Sequence, residues 1–244
     1  MEELDKLREK NILAAKKKIA ESVNEDDFII HTINNIEELA KVTNVLTKRL
    51  RGWYAIYLPE FSRKVSDNEA FVNLILEKDR KALMQEMKIN ISMGMDLSKR
   101  DLKPIMDLAS QIKSLYDLRD ELKSYLEIVM SNYCKNMFSI TGALLGAKLL
   151  KEAGSLKKLS RMTSSIVQLL GAENALFRHL KTGALPPKHG VIIQHPLVSS
   201  AKKSLRGKHA RVLADKISIA VKTDYFKGEF IGDKLKKDIE TKLR

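Results

Sequence analysis

A chain of 244 residues, 44% apolar and 31% charged, is long enough for one or two domains with a sizeable core. It holds no run of about 18 apolar residues and opens on the charged stretch MEELDKLREK, which argues against a helical membrane span and a secretory signal. Its single cysteine, Cys134, rules out an internal disulfide; set in an apolar helical run, it reads as a small core residue in a reducing cell interior.

The net charge of +13 is unevenly placed. Residues 141–244 carry 21 Lys and Arg against 8 Asp and Glu, while the rest of the chain balances. A neutral first part and a basic second part imply different jobs.

Residues 1–21 read as a polar helix with a thin apolar line at Leu4, Leu7 and Ile12, a connecting segment more than a core element. Ser22 to Asp27 is a turn. From Phe28 to about Phe61 two rows seven apart, Ile29-Ile36-Thr43-Leu50-Tyr57 and Ile33-Ala40-Thr47-Tyr54-Phe61, make one seam with alternating spacings of three and four. Leu39, Leu46 and Trp53 widen its apolar face.

A shorter helical region follows around Glu69–Met87, then the turn SMGMD. Ser98-Lys-Arg-Asp101 has the form of a capping box and opens a second long helix. There Ile105, Leu108, Ile112, Leu115, Leu122, Leu126, Val129 and Tyr133 repeat the spacing, with Arg119 the charged exception. Two long helices around a small tip predict an antiparallel coiled-coil hairpin, with an ordinary bundle as the alternative. Exposed apolar rows on such an arm invite self-association.

After Met137, Gly142 and Gly146 predict close helix packing, and Gly154 with Ser155 predicts a helix end followed by a capped start. Ser164–Leu169 is apolar; a helix from Ala172 to Lys181 is closed by Gly183; residues 184–200 are mostly loop, broken at Pro186-Pro187 and His195-Pro196. Lys203 to about Tyr225 reads as a helix, and residues 226–244 as a basic short helix or tail.

No acidic residue occurs from Asn174 to Ala214, a window with Arg178, Lys181, Lys188, Lys202, Lys203, Arg206, Lys208, Arg211 and four of the five histidines. A field of one sign attracts polyanions, so the window is a candidate phosphate-backbone face. A solvated basic surface is its alternative. Lys181, Lys188, Lys202, Arg206, Lys208 and Arg211 are candidate phosphate contacts. His189, Gln194 and His195 lie in loops where a ring or amide can meet a splayed base, or simply pack the loop. Gly171, Ala172, Glu173 and Asn174 open a helix whose amides can face a phosphate or a partner, although Glu173 can instead serve its own helix. Leu176 and Phe177 are expected in the core. No HExxH, CxxC, GxSxG or P-loop spacing occurs, so neither a metal nor a catalytic site is expected.

At GAENALF (Gly171–Phe177), PPKHG (Pro186–Gly190), QHPLV (Gln194–Val198) and RGKHARVLADK (Arg206–Lys216) the chain resembles the Nop-domain family. SMGMDLSKRDL (Ser92–Leu102) and GALLGAKLLKEAGSLKKLSRM (Gly142–Met162) are similar to its archaeal members. The resemblance implies a scaffold of box C/D small ribonucleoproteins, which guide ribose 2′-O-methylation of RNA in the archaeal cell interior. It implies an all-α chain: a connecting helix over 1–24, a coiled-coil arm with a helical tip over 25–137, and a Nop domain over 138–244. Implied partners are a kink-turn guide RNA, the ribosomal-type protein that occupies the kink-turn, and a second copy held through the coiled coil. No cofactor is implied. A fibrillarin-type methyltransferase would be held by an N-terminal domain that is expected to be missing, since the coiled-coil portion starts almost at Met1. Asn174 stands where the family usually has lysine, and the lysine-rich tail of relatives is absent. A coiled-coil protein adaptor and a spliceosomal-type relative are the alternatives.

Overall fold

The computed structural model describes residues 2–243, so the outermost residues of the expected first and last segments, 1 and 244, lie outside the described residues. Among the described residues there is no strand, and no helix is long and apolar enough to cross a membrane. Helix α1 (Glu2–Ser22) leaves Leu4, Leu7, Leu13 and Ile19 exposed, as its thin apolar line implied. The chain divides into two compact units: Asn34–Ser124, and Met1–Ile33 together with Tyr125–Arg244.

In the unit Asn34–Ser124 the core lies between α2 (Glu25–Tyr54) and α6 (Lys99–Tyr133), with α3 (Pro59–Lys64), α4 (Asn68–Glu77) and α5 (Arg80–Glu86) at the tip. Met95 N donates to Ile56 O at 2.8 Å, which sets the start of α6 beside the end of α2 and makes the two antiparallel. The seam buries Leu50 and Tyr54 with Ile105, Ala109, Ile112 and Tyr116 in one core cluster, and Ile36, Thr43 and Thr47 of α2 are buried too. Its two threonines are accommodated because both hydroxyls are satisfied. Thr47 Oγ1 lies 3.3 Å from Tyr116 Oη, and Thr43 donates to Leu39 O at 2.8 Å.

Helix α2 stops at Tyr54, seven residues short of Phe61. Pro59 starts α3 at its first turn, and Leu58 before it (φ −147°, ψ 78°) lies outside the helical region, which a following proline disfavours. Phe61 still reaches the core, from the next helix. Arg51 pins this tip: its guanidinium donates to the main-chain oxygens of Ser62, Val65, Ser66 and Asp67 and to Asn68 Oδ1, and lies 4.4 Å from the Phe71 ring centroid. Arg119, the charged residue in the α6 seam, reaches Glu69 of α4 at 2.8 Å. Ser98 and Asp101 form the expected cap, with Asp101 N donating to Ser98 Oγ at 3.3 Å.

The other unit is organised around α12 (Arg206–Tyr225), which follows α7 (Lys135–Ala153), α8 (Leu156–Arg161), α9 (Ser164–Leu169), α10 (Glu173–Thr182) and α11 (Pro196–Ser199) and precedes α13 (Gly232–Leu243). Ala210, Leu213, Ala214, Ile217, Ala220 and Val221 of α12 are buried, and the helix packs on α7, α8, α9 and α13. Its alanines let neighbouring backbones approach closely. The last residues are a docked helix, with Leu235 and Ile239 buried.

Asp224, near the end of α12, caps the start of α7: its carboxylate accepts from Asn136 N at 3.0 Å, Met137 N at 2.8 Å and Asn136 Nδ2 at 2.8 Å. Cys134 beside it is fully buried, and burial pushes its thiol well above the usual range, so it is inert core. Of the two GALLG glycines only Gly146 packs closely; a side chain there would strike Met130 and Thr141. Gly142 corrects the expectation. It has φ 70° with open space around it, and breaks α7. Gly154 (φ 81°) ends α7, and Ser155 caps α8 through Lys158 N at 3.1 Å, as the sequence implied.

Candidate nucleic-acid interface

The acid-free window folds into one end of this unit: α10, the loop after it, the 3-10 turn Val191–Gln194, α11 and the start of α12. The loop is anchored at both ends. Gly183 (φ 68°) closes α10 by donating to His179 O at 2.9 Å, and His179 Nδ1 donates to Ala184 O. At the far end Gly190 N donates to Gln168 O and Val191 N to Leu170 O, both at 2.8 Å. Glycine is required at Gly171 (φ 78°), where a Cβ would lie 2.6 Å from Val191 Cγ1, and at Gly190, whose Cβ would overlap Leu170 O. The two crossing segments therefore meet backbone to backbone.

Lys181, Lys188, Lys202, Lys208 and Arg211 are exposed or half-buried, and none forms an ion pair with another described residue. Lys188 lies over Gly207 on the first turn of α12, so the PPKHG loop and the α12 start share one surface with Arg211. Arg206 departs from a plain phosphate contact. Its Nε donates to Ala201 O and its Nη2 to Ser199 O, both at 3.1 Å, so the half-buried guanidinium holds the turn that leads into α12. His209 Nδ1 similarly donates to Leu197 O at 2.7 Å.

The loop groups differ among themselves. Gln194 is exposed, with its amide oxygen accepting from Lys148 Nζ at 2.8 Å. His189 is exposed. Both ring nitrogens of His195 are committed: Nδ1 accepts from Leu197 N at 3.2 Å and Nε2 donates to Ile140 O at 3.0 Å. Burial pulls its pKa below the ordinary histidine value, partly offset by the Ile140 bond, so the ring is neutral. The expected hydrogen bond from this ring to a base is corrected accordingly; only its faces are left for stacking.

At the start of α10, Glu173 Oε1 accepts from Gly171 N at 2.8 Å, the self-serving role weighed from sequence. Ala172 is half-buried, and Asn174 is exposed beside it. Leu176 is half-buried but Phe177 is 57% exposed, with Leu180 70% and Leu185 93% exposed, which corrects the core expectation for Phe177. Helix α10 buries no residue completely. Sequence reasoning missed Gln168, whose Nε2 donates to Lys188 O at 2.6 Å and fixes the loop; nothing in its local pattern marks it.

The fold and this surface define a helical protein with a cationic, acid-free end suited to a polyanion. Residues 35–244 match the Nop family, described as snoRNA binding domain, fibrillarin, and the chain belongs to that family. It is 40% identical over 226 residues to an uncharacterised NOP5 family protein of Methanocaldococcus jannaschii, covering 86% of this chain and 54% of that protein. Nucleolar protein 56 of Saccharomyces cerevisiae is 34% identical over 242 residues, covering 89% of this chain and 48% of that protein. The chain thus spans about half the length of the curated relatives it matches. Among solved structures, one of a fibrillarin/Nop5p complex aligns with TM-score 0.58 and 26% identity, covering 98% of this chain and 77% of that chain.

Proposed function

We propose that this chain is a non-catalytic scaffold of box C/D small ribonucleoproteins. In this reading its acid-free end engages a kink-turn RNA already occupied by its ribosomal-type binding protein. The observation that carries the reading is the convergence of Lys188 and Arg211, from a loop and a helix, on one surface anchored by Gly171, Gly190 and Gln168, with Lys208 exposed on the same helix start. An unpaired cationic surface on a rigid frame is what backbone-phosphate recognition needs. Exposed Phe177, Leu180 and Leu185 add apolar area on the same end, suited to a partner protein alongside the RNA. Residues 25–137 act as the spacing and pairing arm and 138–244 as the binding domain. None of the described residues is assigned to a fibrillarin-type methyltransferase.

A gel shift tests this directly. A box C/D RNA is offered with and without its kink-turn protein. The scaffold reading expects a shift of the preformed complex and little with naked RNA. Indifference to both supports a protein adaptor, and preference for a spliceosomal stem supports that branch of the family.

A further inference from the structure

Between the Pro186-Pro187 loop and the first turns of α12 lies a groove of about 480 Å3. Gln168, Pro186, Pro187, Lys188, Gly207 and Arg211 form its walls, and no acidic residue is among the lining groups. We propose that this groove holds a single nucleotide extruded from the RNA, its base against the two prolines and its phosphate between Lys188 and Arg211. The inference rests on the RNA-binding reading above and adds to it a defined subsite.

Three features argue for one nucleotide rather than a stretch of backbone alone. The volume falls in the range of about 300–1,000 Å3 typical of small-ligand pockets, where a continuous phosphate track needs only a shallow channel. The groove is chemically divided in the manner of a nucleotide, with flat apolar proline faces on one wall and two unpaired cations on the others. Single-stranded RNA is read by stacking splayed bases on aromatic rings or arginine planes and pairing their edges, and here the prolines and Arg211 supply the faces. Gln168 supplies the third. Its amide nitrogen is committed to Lys188 O at 2.6 Å, so its oxygen remains an acceptor for a base amine or ring N–H. Gly207 keeps the α12 wall low: a Cβ there would meet Lys188 Cδ at 3.7 Å, an ordinary contact, but a longer side chain would narrow the space.

Gly207→Leu fills the groove while leaving every charge in place, and leucine favours the helix more than glycine does. Measured on the full chain with a box C/D RNA carrying its kink-turn protein, Gly207→Leu is expected to weaken binding about tenfold and to flatten the salt slope by no more than about 0.7–0.9, the one phosphate the groove holds. Circular dichroism melting confirms that the variant is folded. A second measurement needs no variant: with 4-thiouridine in the RNA's unpaired positions, ultraviolet crosslinks on the wild-type chain are expected within residues 184–211. Wild-type affinity in folded Gly207→Leu, or crosslinks confined to other segments, overturns the subsite while the scaffold reading stands. A wild-type chain that binds no RNA–protein complex overturns the scaffold reading first, and the subsite with it.

Discussion

His195 Nε2 donates to the main-chain oxygen of Ile140 at 3.0 Å, joining the QHP loop to the residue two before the Gly142 break in α7. The break frees a carbonyl that a continuous helix would satisfy internally, and the histidine takes it. With Nδ1 accepting from Leu197 N, the ring must be neutral to serve both partners.

That requirement has a pH signature. The folded pKa is depressed from 6.5, so the unfolded chain takes the proton first as pH falls. The contribution is fully present above pH 6.5 and is lost as pH drops from there through the folded value. Melting temperatures of wild type and His195→Gln should converge as pH falls from 6.5 through the folded value, with the wild type losing the more stability. Parallel curves would remove the ring from the linkage.

Arg206 and Arg211 separate structure from binding. Arg206→Ala removes two charge-assisted bonds to the turn before α12 and should lower unfolding free energy by about 2 kcal/mol in urea titrations. Arg211→Ala, at an exposed site on the same helix, should stay within about 0.5 kcal/mol of wild type. Both should weaken assembly with the RNA–protein complex. Equal stability of the two variants would contradict the assignment.

Asp224 carries the start of α7. Asp224→Ala leaves Asn136 N and Met137 N without their acceptor and should cost about 3 kcal/mol, read from denaturation midpoints. Asp224→Asn, which keeps one acceptor oxygen, should recover about half.

Helix α2 keeps Val42, Val45 and Trp53 exposed, an apolar area that suits pairing with another copy. Light scattering at micromolar concentration should report a dimer for the wild type and a monomer for Val45→Glu. A monomeric wild type would contradict pairing through these residues.

Much of this was legible because heptad spacing is a direct reading of which side chains share a helix face. The α2 rows named Ile29, Ile33, Ile36, Thr43, Thr47, Leu50 and Tyr54, all buried. On α6 the large aliphatics Leu108, Leu115 and Leu122 drew the row one position aside. The seam buries Ala109, Tyr116 and Met130 instead, because each lies four residues past a buried Ile105, Ile112 or Leu126 and so shares its helix face. The capping signals at Ser98, Gly154, Ser155 and Gly183 were local, and hence readable. What could not be read was set by partners distant in sequence. Arg206 looks like a solvated cation at a helix start until it meets Ser199 O, His195 like a free loop ring until Ile140 O comes into reach, and Gln168 gains its role only once Lys188 folds over it.

The central claim is that the acid-free end of the second unit neutralises RNA phosphates. The most direct measurement is the slope of log affinity against log salt for the RNA–protein complex, in wild type and in a variant with Lys181, Lys188, Lys202, Lys208 and Arg211 replaced by glutamine. The account predicts a steep wild-type slope that flattens by about 0.7–0.9 for each phosphate the variant no longer neutralises, about 3.5–4.5 if all five cations each hold one. Two identical slopes would place the RNA elsewhere and contradict it.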